Sequence, residues 1–244
     1  MYGLGDWIGE EPEEDRIRVL PTSVIDIAPQ KKRTTNHNST SSRAEYSPFP
    51  TEVSDICYQY FLRDSELIFD PFAGWGDRAE KAKQWKKKYI GYDISEESIE
   101  EARRRGFENY LADSRTASIP EHDGVLTCPP YWNLEKYSSP DGLDHHKTWE
   151  DFLTDYEMVW RNVFSKSRPN TTYCVMVGEW RKNHQFYDLE YETRRIFKEL
   201  GAVIFDQVVV SRSKVSKIKI MLPQAKRLGY TVRVHESLLI FKKS

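Results

Sequence analysis

Short apolar segments typical of buried strands alternate with amphipathic segments typical of helices along most of this 244-residue chain. The predicted strands cover residues 67–70, 89–93, 110–113, 125–127, 173–178, 203–210 and 237–241. A first helix is predicted to begin with Thr51 as its N-cap. Further helices are predicted over 79–87, 95–105, 149–164 and 187–200, the second of these with Ser95 as its N-cap. Parallel strands joined through helices require right-handed crossovers. The pattern therefore predicts an α/β fold with a mostly parallel seven-stranded sheet and helices on both faces.

The first 45 residues differ in composition from the rest. Residues 1–15 are acidic, and residues 29–45 are polar and rich in Ser, Thr and Asn. We predict an N-terminal arm over 1–45, partly disordered or accessory, in which residues 24–27 can form a short strand. A single packed domain then covers 46–244, with a basic insertion at 211–233.

Composition excludes several classes of protein. The three cysteines are scattered without paired spacing, which argues against a disulfide framework or a zinc cluster. His145 and His146 are adjacent and cannot easily chelate one ion, so no metal is predicted. The sequence shows no membrane span or signal peptide, and a cytoplasmic protein without a membrane partner is expected.

Acidic and small residues stand where the first three predicted strands end. They are Asp70, Gly74, Gly76, Asp93, Asp113 and Ser114. In such sheets ligands bind at the carboxyl ends of the strands. The glycines allow a tight turn, and Asp70 either accepts a hydrogen bond from an amine or anchors that turn. Asp93 is placed to bind two ribose hydroxyls, and Asp113 with Ser114 to bind an exocyclic adenine amine. Loop glycines with capping aspartates are the alternative. A nicotinamide dinucleotide fits less well, because the full G-x-G-x-x-G is absent.

The fourth predicted strand is followed by Cys128-Pro129-Pro130-Tyr131. This tetrapeptide resembles the hallmark of the S-adenosylmethionine-dependent DNA amino-methyltransferases, in which Asp, Asn or Ser precedes Pro-Pro-Tyr. The segments 47–50 and 70–76 are similar to the family's cofactor motifs, and the resemblance spans 46–244. It implies a Rossmann-like methyltransferase fold, S-adenosyl-L-methionine as cofactor and DNA as partner. It also adds Pro48, Phe49 and Phe72 to the cofactor-binding residues.

The resemblance implies catalytic roles for the four residues Cys128, Pro129, Pro130 and Tyr131. An aromatic amino nitrogen is a poor nucleophile, so acceptors must hold its hydrogens while it attacks the methyl group. The rigid Pro129-Pro130 pair presents the carbonyl of Pro129, and Tyr131 stacks on a flipped base. The second acceptor is a thiol here, with Thr127 as a candidate to share its role. Cys is closest in size to Ser, the residue usual in the family's N4-cytosine branch, so the resemblance favours N4 of cytosine over N6 of adenine.

Candidate nucleic-acid contacts lie on both sides of the predicted pocket. Trp132 and Asn133 can line it, and segment 211–233 contains basic residues and no acid. The predicted phosphate contacts are Arg212, Lys214, Lys217, Lys219, Lys226 and Arg227. A solvated basic face is the equally weighted alternative.

Other functions stay open from the sequence. Cys128 could act as a covalent nucleophile on a pyrimidine, as in C5-cytosine methyltransferases, or be a buried cysteine before an ordinary turn. An RNA or protein-glutamine methyltransferase shares Pro-Pro-Tyr, and a non-catalytic nucleic-acid-binding relative is the alternative outside enzymes. The target sequence, the oligomeric state and a partner nuclease cannot be read from these residues.

Overall fold

The computed structural model describes residues 20–27, 33–34, 45–46, 48–132, 141–212 and 218–244. The strands are β1 Val24–Asp26, β2 Arg33–Thr34, β3 Glu45–Tyr46, β4 Leu67–Asp70, β5 Lys88–Asp93, β6 Asn109–Leu111, β7 His122–Thr127, β8 Ser167–Val177, β9 Glu179–Lys182, β10 Gln185–Asp188, β11 Ala202–Ser211 and β12 His235–Lys243. The helices are α1 Thr51–Ile56, α2 Asp77–Gln84, α3 Glu96–Arg104, α4 Trp149–Lys166, α5 Leu189–Glu199 and α6 Ile218–Leu228, and a π-helical turn at Cys57–Phe61 extends α1.

Within the described residues the main sheet has eight strands in the order β6-β5-β4-β7-β8-β12-β11-β1. β12 runs antiparallel to both β8 and β11, and the other pairs are parallel. The α/β prediction is confirmed, and β1 adds an eighth strand to the seven predicted. The strand order reverses between β4 and β7, so the carboxyl ends of these two strands form the switch point at which such sheets bind ligands.

Both faces of the sheet are buried, and successive residues of its central strands point to opposite faces. Tyr173 and Val175 of β8 belong to one buried cluster, whereas Cys174 and Met176 belong to the other. Helices α4 and α5 cover the first face, and α1 and α2 cover the second. Aromatic packing stabilises the first face, where the rings of Phe197 and Phe241 stack with centroids 4.1 Å apart. The prediction of helices on both faces of the sheet is therefore confirmed.

One local prediction is confirmed and three need correction. Ser95 caps α3 as predicted, since its side chain accepts a hydrogen bond from the Ser98 N–H at 3.3 Å. Thr51, however, is the first residue of α1, and Pro50 occupies the N-cap position without a side-chain hydrogen bond. The helix predicted from Tyr187 begins at Leu189, because residues 179–188 form an antiparallel hairpin of β9 and β10. The basic insertion contains the helix α6, which was not predicted. Pro223 lies inside this helix, and proline usually argues against a helix interior.

Buried His122 should make the stability of this fold depend on pH. Burial lowers the pKa of His122 to about 4, and its Nδ1 lies 2.9 Å from the carbonyl oxygen of Pro120. Between pH 6.5 and 4 the unfolded chain binds a proton that the folded chain does not, so stability falls as the pH falls. We expect a loss of about 3 kcal/mol across this window, measured by urea unfolding at several pH values. His122→Asn should remove this pH dependence, whereas His184→Asn, in the exposed hairpin turn, should retain it; equal slopes in both variants would contradict the assignment.

Candidate active site

Asp70, at the carboxyl end of β4, holds the turn that follows it. The fully buried carboxylate accepts hydrogen bonds from Arg78 Nε at 2.5 Å, Tyr89 Oη at 2.7 Å, Thr127 Oγ1 at 2.5 Å and the Phe72 N–H at 3.1 Å. Burial lowers the pKa of Arg78, but the charges of Asp70, Tyr89 and Cys128 together with the Asp70 hydrogen bond outweigh burial and raise this pKa. Because Asp70 already accepts four hydrogen bonds, it is suited to anchoring the turn after β4 rather than to binding a ligand amine. The bond from Thr127 also joins β4 to β7.

The turn after β4 leaves open space at Gly74, next to the carboxylate of Asp93. Gly74 has φ of +53°, and a Cβ at this position would meet no atom within 4 Å. Gly76 has φ of +87°, and its Cβ would lie 2.7 Å from the Phe107 ring, so this glycine is required for packing. Asp93 Oδ2 accepts the Gly74 N–H at 2.8 Å, and Oδ1 accepts the Ser95 N–H at 2.8 Å. Each oxygen keeps a free lone pair for a ligand hydroxyl.

Burial raises the pKa of Asp93, and the hydrogen bonds from Ser95 and Gly74 only partly offset this effect. Asp113 behaves in the opposite way. Burial raises the pKa of Asp113, but the side-chain and backbone hydrogen bonds from Arg115 outweigh burial, and the result is a lowered pKa. Arg115 also forms an ion pair with Asp155 of α4. This arrangement fixes the segment after β6 against α4.

The other predicted cofactor residues lie around the same turn, mostly as packing residues. Ser114 is buried and donates its hydroxyl to the Pro71 carbonyl at 2.9 Å. The N–H of buried Phe49 donates to Asp77 at 3.1 Å, and its ring lies 4.8 Å from the Arg78 guanidinium carbon. Phe72 packs edge-on against Trp160. Pro48 is half-buried beside Phe49.

The tetrapeptide predicted to be catalytic begins directly after β7 and contacts β12. The Cys128 Sγ lies 3.8 Å from the Tyr131 Oη, and the Tyr131 hydroxyl donates to Glu236 Oε1 at 2.8 Å. The other oxygen of Glu236 forms an ion pair with Arg212 Nε. Since a carboxylate only accepts, the Tyr131 oxygen remains free to accept the Cys128 S–H. The sulfur lone pairs are then left as acceptors.

Cys128 is poorly suited to act as a thiolate. Burial, followed by the charge of Glu236, raises the pKa of Cys128 to about 12. A nucleophilic cysteine needs the opposite environment, one that lowers its pKa. The geometry therefore does not favour the covalent alternative.

One face of the Tyr131 ring is already covered. It stacks on Trp180 of β9, with centroids 5.9 Å apart and ring planes 14° apart. A Cβ on Gly178 would lie only 3.3 Å from the Tyr131 ring, so the absence of a side chain there admits the ring. Stacking of a base on Tyr131 would therefore require the face opposite Trp180. Trp132 is a packing residue: it is 6% exposed, it donates to the His146 carbonyl at 2.8 Å, and it contacts Tyr187 edge-on.

The predicted nucleic-acid residues are not all described. Arg212 pairs with Glu236, and Lys226 and Arg227 are exposed in the last turn of α6. Asn133, Lys214 and Lys217 lie outside the described residues, as does the side chain of Lys219. Sequence reasoning gave no role to Arg78, Tyr89, Trp180 or Glu236. No sequence signal connects Trp180 or Glu236 with Tyr131.

Comparisons with known proteins agree with this fold. A family model described as DNA methylase matches residues 13–104. Comparison with curated proteins gives no match. TrmN from Thermus thermophilus is a similar solved structure, with TM-score 0.52 and 16% identity over 80% of this chain and 49% of its own. The chain thus spans about half the length of TrmN.

Two further solved structures show how widely the fold is used. ChlM, the magnesium protoporphyrin IX methyltransferase from Synechocystis PCC 6803 with bound SAM, has TM-score 0.50 and 15% identity over 80% of this chain and 79% of its own. The [4+2]-cyclase SpnF has TM-score 0.54 and 13% identity over 79% and 81%. At these identities the likeness shows the fold alone.

The chain shares its fold with methyltransferases of known structure such as TrmN and ChlM, and a DNA methylase family model matches its residues 13–104. The match over residues 13–104 confirms the resemblance to the N4/N6 DNA amino-methyltransferases in that part of the chain. Among the described residues, no helix has the length and apolar character needed to span a membrane. In the same residues, no cluster of three or more His, Cys, Asp or Glu side chains is arranged to hold a metal ion.

Proposed function

We propose that this protein transfers a methyl group from S-adenosyl-L-methionine to the exocyclic amino group of a flipped DNA base. One observation carries the proposal: the tetrapeptide at the end of β7 lies beside the glycine turn at the end of β4, tied to it by the Thr127–Asp70 hydrogen bond of 2.5 Å. A methyl donor and an acceptor base bound at these neighbouring strand ends would meet at the switch point. The DNA methylase family match supports the choice of substrate.

The residues around the turn fit this cofactor. The open space at Gly74 allows close approach to the backbone, and the lone pairs of Asp93 match the two hydroxyls of a ribose. Asp113 keeps acceptor capacity at the end of β6, where its side chain is 34% exposed. Phe49 and Phe72 supply apolar surface beside this turn, and Pro48, Gly76 and Ser114 shape it. When bound, S-adenosyl-L-methionine supplies an electrophilic methyl sulfonium.

The tetrapeptide then orients the base. The Pro129 carbonyl accepts one hydrogen of the target amino group, and a lone pair of the Cys128 sulfur accepts the other. Both contacts favour the geometry in which the nitrogen lone pair points at the methyl group. As the N–C bond forms, the S–C bond would break to leave S-adenosyl-L-homocysteine, and the methylated nitrogen would lose one proton to solvent. Pro130 restricts the backbone, and the face of Tyr131 opposite Trp180 stacks on the base. N4 of cytosine is our preferred target over N6 of adenine, because Cys resembles Ser.

The proposal is tested by transfer of labelled methyl from S-adenosyl-L-methionine to mixed-sequence DNA, followed by nucleoside digestion and mass spectrometry. We expect N4-methylcytosine. Cys128→Ser should keep or raise the rate, because a hydroxyl is a better acceptor, whereas Cys128→Ala should lower it by about tenfold, the value of one neutral hydrogen bond. Cys174→Ala, a buried cysteine of β8, is the matched control for a lost thiol and should change stability rather than the relative rate.

The product distinguishes the alternatives. N6-methyladenine would keep the class and correct the base. Methylated RNA or a methylated glutamine, with unmodified DNA, would overturn the substrate. Cofactor binding with no product on any of these substrates would indicate a binding-only relative.

A further inference from the structure

The β9–β10 hairpin has two different sides. Strands β9 and β10 pair Trp180 with Tyr187 and Arg181 with Phe186, and neighbouring pairs face opposite sides of the hairpin. The first pair packs toward the catalytic segment, since Trp180 stacks on both Tyr131 and Tyr187. The second pair therefore faces away from Tyr131. Whatever binds the outer side is held at a fixed distance from the reacting base.

The outer side forms what we term the arginine–aromatic surface: Arg181, Phe186, Tyr230 and Arg233. The guanidinium carbon of Arg181 lies 5.1 Å from the Phe186 ring centroid and 5.6 Å from that of Tyr230, and the guanidinium carbon of Arg233 lies 4.8 Å from that of Phe186. Stacked guanidinium groups are pre-oriented, and their N–H groups remain available at the ring edges. Arg181 and Phe186 of this surface belong to the hairpin, whereas Tyr230 and Arg233 belong to the end of the basic insertion.

Acidic and basic side chains share the outer side, because Glu179 and Asp188 lie on the same face of the two strands as Arg181 and Phe186. Arg233 is neutralised by Glu179 at 3.3 Å. Arg181, by contrast, is exposed, and no carboxylate of the described residues forms an ion pair with it or with neighbouring Lys182. The hairpin turn at Asn183 and His184 is also exposed, with φ of +49° and +65°. An unneutralised arginine on an aromatic platform is suited to bind a phosphate.

We propose that the arginine–aromatic surface binds the sugar–phosphate backbone of DNA next to the flipped base. The inference rests on the proposed function and adds the hairpin to the interface that the sequence placed only in 211–233. Arg181 contributes the phosphate contact, while Phe186 and Tyr230 hold its guanidinium in place. Because the inner side of the same hairpin supports Tyr131, this contact sets the register between the DNA backbone and the catalytic segment.

The test is binding of a fluorescently labelled mixed-sequence duplex, measured by anisotropy across a KCl titration. Arg181→Gln should weaken binding about tenfold at low salt and reduce the salt slope by about one. Phe186→Leu, which keeps the charge but removes the platform, should weaken binding with an unchanged slope. Arg63→Gln is the matched control, because Arg63 is 60% exposed before β4, at the opposite end of that strand from the site.

Three outcomes overturn the inference in distinguishable ways. If wild-type protein methylates DNA while Arg181→Gln and Arg181→Glu bind it normally, the hairpin contact is wrong and the proposed function stands. If wild-type protein neither binds nor methylates DNA, both fail. If Arg181→Gln weakens binding to RNA of the same sequence only, the surface serves RNA. Circular dichroism melting and cofactor titration on each variant confirm that the fold and the cofactor site are intact.

Discussion

Replacement of Tyr131 by alanine is expected to lower the methyl-transfer rate by about 5- to 150-fold, because base stacking on an aromatic ring is worth about 1–3 kcal/mol. The variant also loses the hydroxyl that connects Cys128 with Glu236. Affinity for S-adenosyl-L-methionine should stay unchanged, since Tyr131 follows β7 whereas the proposed cofactor residues surround the turns after β4, β5 and β6. Single-turnover transfer and calorimetric cofactor titration measure the two quantities.

Tyr131→Phe separates the ring from its hydroxyl. The ring and its stacking on Trp180 persist, but the Cys128 hydrogen loses its acceptor and Glu236 loses a donor. We expect about a tenfold lower rate, the value of one hydrogen bond. Tyr191→Ala, an exposed aromatic of α5, is the control and should leave the rate unchanged. Loss of cofactor binding in Tyr131→Ala, or a wild-type rate in Tyr131→Phe, would argue against this site.

Replacement of Asp70 by asparagine is expected to destabilise the fold by about 3–5 kcal/mol, the usual cost of leaving one partner of a buried ion pair alone. Asp70 is fully buried, and the side chain of its partner Arg78 is 8% exposed. Asparagine keeps the size of the side chain but removes the negative charge that offsets the buried guanidinium. Urea unfolding gives the free energy directly.

An exposed pair provides the comparison. Asp64, 90% exposed beside Arg63, should tolerate Asp64→Asn with a change below about 1 kcal/mol. The double variant Asp70→Asn, Arg78→Met should recover part of the lost stability, because it removes the isolated charge. A cost for Asp70→Asn as small as that of Asp64→Asn would show that Asp70 does not hold the turn through its charge.

Local patterns in the chain were enough to predict the layers of this fold. The apolar runs at 67–70 and 125–127 predict buried strands, and Ser95 before two glutamates predicts a helix cap, because these signals involve neighbours in the chain. The alternation of strands and helices predicts the parallel sheet. It also follows that the glycine turn and the Pro-Pro-Tyr segment share one edge, since parallel strands end on the same side.

Two elements escaped prediction because their local signals conflict with their structure. Pro223 disfavours a helix interior, yet α6 contains it. Tyr187 continues an amphipathic pattern into α5, but it pairs with Trp180 in the hairpin. Pairing across the hairpin overrides the helical pattern of its last residues.

Tertiary structure alone decided what the strand-end side chains do. The sequence by itself determined that acids stand at or near the ends of β4, β5 and β6, and that Cys128 precedes Pro129-Pro130-Tyr131 directly after β7. It did not determine that Asp70 faces Arg78 or that Trp132 is buried. Nor did it connect Tyr131 with Glu236, 105 residues apart. That contact exists because β12 pairs with β8 in the register Ser237–Val177, which brings Glu236 beside Gly178. Periodicity assigns a residue to a face of a strand, but the partner it meets depends on strands brought together from distant parts of the chain.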